Sequence, residues 1–317
     1  MKILVTGGCG YKGSILIPKL LKLGHKVVSI DTQWFGNYLI NHKNLKNIKL
    51  DVNQIEDIDL KNVNTIIHLA SIANDPMAEL DKNLSWEASA LGTLRLINSA
   101  LKYKVKKIIY ASSGSVYGIK KEKKVHEDLK LKPLSLYNKV KMVTERVLLS
   151  YNDMIDINIV RPGTVCGYSP RMRYDLTVNA MTYSALKNKK IHVFGGKQIR
   201  PNIHIEDLTD IYLMLLNKNY KKLIVNAGFE NLSILEIAKK ISKITNAKII
   251  VKKDKNDPRS YRMSSDRLLK KTKYIPKCNV HRAIIDLKEK YENNKLLDDK
   301  KFYSVKWLKE KLDKNEI

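Results

Sequence analysis

The sequence opens on Lys2-Ile3-Leu4-Val5-Thr6-Gly7-Gly8-Cys9-Gly10-Tyr11-Lys12-Gly13, a short apolar run that passes directly into a glycine-rich turn. The apolar residues predict a buried strand at Lys2 to Thr6, and a helix is predicted from Ser14 to Leu23. Gly7, Gly10 and Gly13 therefore stand between a strand and a helix. Glycines at this spacing permit a tight turn, close approach to the backbone and close helix–strand packing. The pattern is typical of a turn that holds phosphate at a helix N-terminus.

An acidic residue after the second strand extends this pattern to a dinucleotide site. Asp31 ends a strand predicted at Val27 to Asp31, at about the distance from the glycines expected of a ribose-binding acid. Its carboxylate would bind the adenosine hydroxyls and repel a 2′-phosphate, and the next residue, Thr32, is not an arginine. We therefore expect NAD rather than NADP. The candidate cofactor-binding residues of the first four strand ends are Gly7, Gly10, Tyr11, Lys12, Gly13, Asp31, Thr32, Asp51, Val52, Leu69, Ala70 and Ser71.

Alternating apolar strands and helices predict an α/β fold with a doubly wound parallel Rossmann sheet. The further predicted strands are Ile48 to Asp51, Thr65 to Leu69, Lys107 to Ser112 and Ile157 to Arg161, and the further helices are Ser85 to Lys102, Tyr137 to Ser150 and Leu232 to Thr245. We expect an NAD-binding Rossmann domain at 1–165 and a smaller, mainly substrate-binding C-terminal lobe at 166–317. About 191–228 is expected to return to the Rossmann domain. Val305, Leu308 and Leu312 form a possible apolar stripe near the C-terminus.

A second motif points to proton transfer. Tyr137 and Lys141 lie four residues apart, so a helix places them on one face. An ammonium group near a phenol favours the phenolate, which turns a weak base into a competent one. Ser113 follows the strand at Lys107 to Ser112, and its hydroxyl can bind the reacting oxygen of a substrate. Together with the dinucleotide site, these residues predict redox chemistry on a carbinol or ketone.

Composition excludes several other classes of protein. The 317 residues have a formal net charge of +27, but the lysines are scattered rather than gathered with aromatic residues, so nucleic acid is not an expected partner. Cys9, Cys166 and Cys278 are far apart, which argues against a disulfide framework or a metal site and for a reducing compartment. No apolar run reaches the roughly 18 residues of a membrane span. We expect a soluble, cytoplasmic protein without a membrane partner.

The same segments resemble a known family. The chain is similar, over roughly residues 1–290, to extended short-chain dehydrogenases/reductases of the NAD-dependent epimerase/dehydratase family. The matching segments are Thr6 to Gly13, His68-Leu69-Ala70-Ser71, Tyr110 to Gly118, Tyr137 to Lys141, Arg161-Pro162-Gly163-Thr164-Val165, Arg200 to Asp207 and Asn226-Ala227-Gly228. The resemblance implies a nucleotide-sugar substrate and often a homodimer, joined here by the helix at Ser85 to Lys102 and the helix that contains Tyr137.

The resemblance also assigns roles by position. Ser113, Tyr137 and Lys141 match the catalytic triad, and the last two also contact the cofactor. Pro162, Thr164 and Val165 match the wall beside the nicotinamide. The implied substrate-binding residues are Ser113, Ser115, Thr164, Asn179, Arg200, Arg259 and Tyr261.

Departures from the family pattern narrow the reaction. Dehydratases have an Asp-Glu pair after the hydroxyl residue and decarboxylases keep the glutamate, whereas this chain has Gly114 and Ser115. An epimerase acting on a sugar hydroxyl, at C4, is therefore the first expectation, within surface polysaccharide or sugar biosynthesis. Ser89 and Cys166 replace a common asparagine and tyrosine.

Two alternatives remain open. The run Gly167 to Leu176, with Arg171 and Arg173, resembles a subgroup that includes GDP-heptose 4-dehydrogenases, so a nucleotide-sugar 4-dehydrogenase or ketoreductase is the first alternative. A non-catalytic cofactor sensor or nucleic-acid-binding relative is the remote one, because such proteins usually lose the tyrosine and lysine that this chain keeps.

Overall fold

The N-terminal apolar runs form one parallel sheet of seven strands in a computed structural model that describes residues 1–252 and 260–317. Across the sheet, the strands lie in the order β10 (Ile224–Ala227), β6 (Asp156–Pro162), β5 (Lys107–Ala111), β4 (Val63–His68), β1 (Lys2–Thr6), β2 (Lys26–Asp31) and β3 (Leu45–Lys49). All neighbouring pairs are parallel. The carboxyl ends of these strands therefore share one edge, and the strand order reverses between β1 and β4, where ligands bind in such sheets.

Helices cover both faces of this sheet because its strands are apolar on both sides. Alternate β1 residues point to opposite faces: Ile3 and Val5 pack with the helices α1 (Gly13–Lys22) and α7 (Ile205–Met214). Leu4 packs with α4 (Gly92–Lys102) and α5 (Leu136–Ser150). The predicted doubly wound α/β fold is confirmed.

Later segments build two small sheets and a separate core. One sheet contains β7 (Thr164–Cys166), β9 (Ile199–His204) and β11 (Glu230–Ser233), and the other contains β8 (Lys190–Phe194) and β12 (Lys248–Lys252). The helices α6 (Thr177–Asn188), α8 (Ile234–Thr245) and α10 (Val280–Glu292) bury their apolar faces together. β10 returns to the main sheet beside β6. α9 (Asp266–Thr272) follows later in the chain, after β12.

Two predicted elements differ from the structure. The strand predicted at Ile48 to Asp51 is β3 at Leu45–Lys49, because Asp51 instead caps a 3₁₀ turn at Val52–Asp57 by accepting from the Asn53 amide at 2.7 Å. The helix predicted at Ser85 to Lys102 is interrupted: α3 (Lys82–Trp86) leads into a π turn at Glu87–Leu91 before α4 begins.

The C-terminal stripe lies on α11 (Ser304–Asp313), which packs beside α2 (Asp75–Ala78). Leu308 is buried against Ile72 and Met77, and Val305 and Leu312 pack against the same cluster. The end of the chain therefore folds onto the loop that follows β4.

In the described ranges, no helix has both the length and the apolarity that a membrane crossing needs. Within those ranges there is also no group of three His, Cys, Asp or Glu side chains placed to hold a metal ion. Cys9, Cys166 and Cys278 are unpaired thiols.

Candidate active site

A cleft of about 340 Å³ opens at the carboxyl edge of the main sheet. It extends from Asp31, after β2, to Tyr137, on the first turn of α5. Most residues predicted from the sequence line it, namely Gly7, Gly10, Tyr11, Lys12, Asp31, Thr32, Asp51, Val52, Leu69, Ala70, Ser71, Ser113, Ser115, Tyr137, Lys141, Pro162, Thr164, Val165, Arg200 and Tyr261. The structure thus brings together residues that are far apart in the chain.

Three predicted residues do not line the cleft. Gly13 lies beneath it, where a Cβ atom would be 2.2 Å from the Gly8 carbonyl oxygen. Asn179 is fully buried: its Oδ1 accepts from the Gly167 amide at 3.0 Å, and its Nδ2 donates to the Tyr11 hydroxyl at 3.1 Å. In this structure Asn179 therefore fixes the wall of the cleft rather than facing its interior. Arg259 lies outside the described residues.

The glycine turn fits the pyrophosphate of a dinucleotide. Gly7 has a φ of +69°, and a Cβ there would lie 2.7 Å from the Ala70 amide nitrogen, so no side chain fits. A Cβ at Gly10 would meet only the Gly7 carbonyl oxygen, so the backbone there faces open space. Because α1 begins at Gly13, the positive end of its helix dipole lies at this turn, where an anion would be stabilised.

Lys12 adds a cationic side chain to this turn. Its ammonium group has no hydrogen-bond or ion-pair partner among the described residues, although it lies in the cleft wall. Burial, assisted by the nearby charge of Arg173, lowers the pKa of Lys12 to about 8. A negatively charged ligand in the cleft would favour the ammonium and so raise this pKa again.

Asp31 lies beside the glycine turn, at the end of the cleft away from Tyr137. Its carboxylate accepts hydrogen bonds from the amides of Cys9 at 3.0 Å and Gln33 at 2.7 Å, which fix its orientation. Burial nevertheless raises the pKa of Asp31 above its usual range. The carboxylate oxygens are placed to accept hydrogen bonds from hydroxyl groups, as binding of an adenosine ribose requires.

The residues predicted to transfer the proton come from the end of β5 and the start of α5. Ser113 begins a 3₁₀ turn at Gly114–Tyr117, and its hydroxyl is 2.7 Å from that of Ser115. Lys141 is buried, donates to the Ala111 carbonyl oxygen at 2.9 Å, and has its ammonium nitrogen 6.0 Å from the centre of the Tyr137 ring. Ser135 caps α5 and so fixes the turn that contains Tyr137.

Burial dominates the protonation of this group. It raises the pKa of Tyr137, although a hydrogen bond with Ser113 and the charge of Arg173 act in the opposite direction. Burial, followed by repulsion from Lys12, holds the pKa of Lys141 well below its ordinary value. Ser113 and Arg173 therefore both favour a Tyr137 phenolate.

A buried ion pair supports this end of the cleft from behind. Arg161 on β6 donates to Glu145 on α5 through Nε at 2.9 Å and Nη2 at 2.6 Å. Ser112, directly before Ser113, donates to the same carboxylate at 2.5 Å, and Arg161 also donates to the Tyr117 hydroxyl at 2.8 Å. Two strands and the helix of Tyr137 are thereby fixed to one another.

His68 joins the first strands to α4 behind the glycine turn. Its Nδ1 is 2.6 Å from the Thr6 hydroxyl, and its Nε2 is 2.8 Å from the Thr93 hydroxyl. Burial, reinforced by the charges of Lys141 and Lys12, lowers the pKa of His68 to about 3. The ring is therefore neutral at physiological pH and acts as a hydrogen-bonding connector.

Sequence reasoning missed several residues that line the cleft. Asn74 and Asp75 follow β4, and Asn74 has a φ of 75° and ψ of 162°, a region that residues other than glycine rarely adopt. The Asn74 amide donates to Asp175, which in turn pairs with Arg173 through both carboxylate oxygens. These residues have no spacing signal in the sequence, since the network joins segments 100 residues apart.

Trp34, Phe35 and Ser304 are further unpredicted residues of the cleft wall. An adjacent pair of large aromatic residues, three and four positions after Asp31, was an available signal, because only 7% of the chain is aromatic. Ser304 had none, since it lies 273 positions from Asp31 in the sequence.

Comparison with known proteins gives the class to which this fold and site belong. The model of the NAD-dependent epimerase/dehydratase family matches residues 3–228. A putative UDP-glucose 4-epimerase of Methanocaldococcus jannaschii is 31% identical over 234 residues, covering 71% of this chain and 76% of that protein. The uncharacterized UDP-glucose epimerase YtcB of Bacillus subtilis is 30% identical over 266 residues, covering 78% and 83%.

Solved structures agree on the fold. UDP-glucose 4-epimerase of Thermotoga maritima with UDP-glucose has a TM-score of 0.86 at 24% identity, covering 93% of this chain and 99% of that one. UDP-glucuronic acid 4-epimerase of Bacillus cereus, in complex with UDP-glucuronic acid and NAD, has a TM-score of 0.79 at 25% identity, covering 93% and 100%.

The protein is therefore an enzyme of a class that performs NAD-dependent chemistry on a Rossmann fold. The chain belongs to the NAD-dependent epimerase/dehydratase family. The cofactor predicted from the glycine turn and Asp31 is confirmed as NAD.

Proposed function

We propose that the protein is an epimerase of a nucleotide sugar, acting by transient oxidation of a sugar hydroxyl at C4. The observation that supports this most is the placement of Ser113, Tyr137 and Lys141 in the same cleft as the glycine turn and Asp31. Relatives named as UDP-glucose epimerases support the reaction type.

The residues predicted from the sequence have the following roles in this reaction. Bound NAD supplies the redox chemistry, because its nicotinamide ring accepts a hydride from a carbinol carbon and can return it. Tyr137 removes the hydroxyl proton as the carbon is oxidised, and Ser113 donates a hydrogen bond to the same oxygen. The keto sugar turns over within the cleft, and Tyr137 returns the proton.

Other residues of the cleft bind the cofactor and the substrate. Lys141 binds the cofactor ribose. Pro162, Thr164 and Val165 form the adjoining wall, and Arg200 and Tyr261 bind the substrate nucleotide.

The turn after β5 argues against elimination of water. A Cβ at Gly114 would lie 2.2 Å from the Met263 methyl carbon, so an acidic side chain does not fit there unless Met263 moves. The Ser115 hydroxyl is engaged with Ser113. Asp75 is an acid elsewhere in the cleft wall, and the Ser135 hydroxyl donates to it. The mass of the reaction product is therefore also compared with that of a dehydrated sugar.

The alternative is a nucleotide-sugar 4-dehydrogenase or ketoreductase, which uses the same residues for one half of the cycle. Arg171 and Arg173, in the run that resembles that subgroup, do line the cleft. We further propose that the enzyme is cytoplasmic and acts in surface polysaccharide or sugar biosynthesis. We also propose that it forms a homodimer joined through α4 and α5. Light scattering of the purified protein tests the dimer.

The decisive experiment is incubation with NAD and a panel of UDP-, GDP-, dTDP- and CDP-sugars, with nicotinamide absorbance and product mass and configuration recorded together. An isomeric sugar without net NADH is the expected result. Stoichiometric NADH with a keto sugar would establish the dehydrogenase instead. A product lighter by one water would make the enzyme a dehydratase.

A further inference from the structure

The C-terminal segment covers the loop at the Asp31 end of the cleft. Trp307 on α11 donates through its indole Nε1 to the Trp34 carbonyl oxygen at 2.6 Å. Trp34 and Phe35 pack in the same apolar cluster as Leu308, which is 1% exposed. The loop that follows Asp31 therefore lies between the cleft on one side and α11 on the other.

Arg171 connects the same helix to the interior of the cleft. Its guanidinium is buried, lines the cleft and stacks on Phe35, with 4.3 Å between its central carbon and the ring centre. It donates to the Met172 carbonyl oxygen and to the Ser304 hydroxyl, each at 3.0 Å. A guanidinium has five N–H groups, so donors remain after these two contacts.

The position of Arg171 assigns it to the adenosine half of the site. Its charge is close enough to the Asp31 carboxylate to lower the pKa of that group, against the larger effect of burial. Asp31 is the acid expected to bind the adenosine ribose. An arginine suits this environment, because its planar guanidinium group can bind phosphate oxygens and stack on an aromatic ring at the same time.

We propose that α11 retains the bound dinucleotide, with Arg171 as a cofactor-binding residue that donates to an oxygen of the adenosine ribose-phosphate. Ser304 and Trp307 are positioning residues: Ser304 holds the guanidinium, and Trp307 holds the loop of Trp34 and Phe35 against the cleft. The cofactor then leaves only when these contacts open. The inference deepens the proposed function, since an epimerase needs the same cofactor molecule for both halves of its cycle.

The test is the dissociation rate of NADH from the full-length enzyme. The protein is loaded with NADH, mixed with excess NAD, and followed by the loss of NADH fluorescence. Trp307→Phe keeps the apolar contact but removes the N–H donor, and Ser304→Ala removes the hydroxyl that Arg171 meets. Loss of one such hydrogen bond is expected to speed release by about tenfold in each variant.

Lys309→Ala is the matched control, because Lys309 lies exposed on the same helix and has no polar contact among the described residues. Its release rate and melting temperature should equal those of the wild type within error, and the melting temperatures of the other two variants should lie well above the assay temperature, so that all three proteins are folded when release is measured. Unchanged release in both Trp307→Phe and Ser304→Ala overturns the proposal, as does equal acceleration in Lys309→Ala. Because no sugar is present, the result is independent of whether the enzyme is an epimerase: failure of the proposed function would appear in the sugar panel and not here.

Discussion

The two ends of the cleft are built in different ways. At the proton-transfer end, Ser113, Tyr137 and Lys141 come from one strand end and one helix turn, and the pair of Glu145 and Arg161 fixes those elements from behind. At the adenosine end, Asp31 is local to the glycine turn, but its surroundings come from Arg171, Ser304 and Trp307, far along the chain.

This difference has a chemical reason. Proton transfer requires groups held at hydrogen-bonding distance, which adjacent positions on rigid elements provide. Retention of a large, flexible cofactor requires contact from several sides, which a single strand and turn cannot supply. We therefore expect substitutions at the first end to change the rate of chemistry, and substitutions at the second to change cofactor affinity and selectivity.

The largest effect is expected for Tyr137→Phe. Removal of the phenol oxygen leaves no group to exchange the substrate proton, so kcat should fall by about 10²- to 10⁴-fold. The ring that packs in the wall remains, so the dissociation constant for NAD should change by less than about threefold. Steady-state kinetics and calorimetric titration measure the two quantities. A variant that keeps a tenth or more of the wild-type kcat would remove Tyr137 from the mechanism.

Glu145→Gln tests the support behind this end. The substitution keeps the shape of the side chain but leaves the buried Arg161 guanidinium without its counter-charge, which typically costs about 3–5 kcal/mol. The free energy of unfolding in urea should fall by that amount. Lys139→Gln, at an exposed position of the same helix, is the control and should have an effect below about 0.5 kcal/mol. A loss for Glu145→Gln that is no larger than the control would mean that the ion pair does not join these elements.

The two ends also differ in how far the sequence could predict them. The glycine turn, Asp31, Ser113, Tyr137 and Lys141 follow from local spacing, because strand ends and helix faces are fixed by a few neighbouring residues. Arg171 and Arg173 could be noted as candidates but not assigned, since their partners Ser304 and Asp175 are chosen by packing. The π turn before α4 had no local signal, because Ser89 within it contacts Ser71 in the loop after β4. The displaced β3 did have one, because Asp51 caps the turn that directly follows it.

Asp31→Asn examines cofactor selectivity at the adenosine end. The wild type is expected to favour NAD, because the carboxylate repels a 2′-phosphate. Without that charge, the Arg171 guanidinium is the cation available to a 2′-phosphate, so the ratio of NADP to NAD affinity should rise by at least about tenfold. Titration with both cofactors measures the ratio. The double variant Asp31→Asn with Arg171→Met should lose the gain, whereas a gain that persists in it would mean that Arg171 does not contribute.

The pH-dependent effect expected for Lys12 is absent at neutral pH and appears only above pH 8. The pKa of Lys12 is lowered to about 8 in the structure, first by burial and then by Arg173. A bound pyrophosphate favours the charged ammonium and therefore raises this pKa. Below pH 8 the lysine is already charged and the affinity for NAD should be constant with respect to this group. Above pH 8 binding must take up a proton, so the affinity should fall by up to about tenfold per pH unit.

Lys12→Met separates this titration from that of Lys141, which also has a lowered pKa and would act in the same direction. NAD titrations between pH 7 and 9.5 should show a shallower decline in the variant than in the wild type, together with weaker binding at pH 7. Two parallel profiles would show that Lys12 does not meet the pyrophosphate and that its ammonium lies in the cleft for another reason. In that case, binding at the adenosine end would depend on Arg171 and the backbone of the glycine turn, without a lysine.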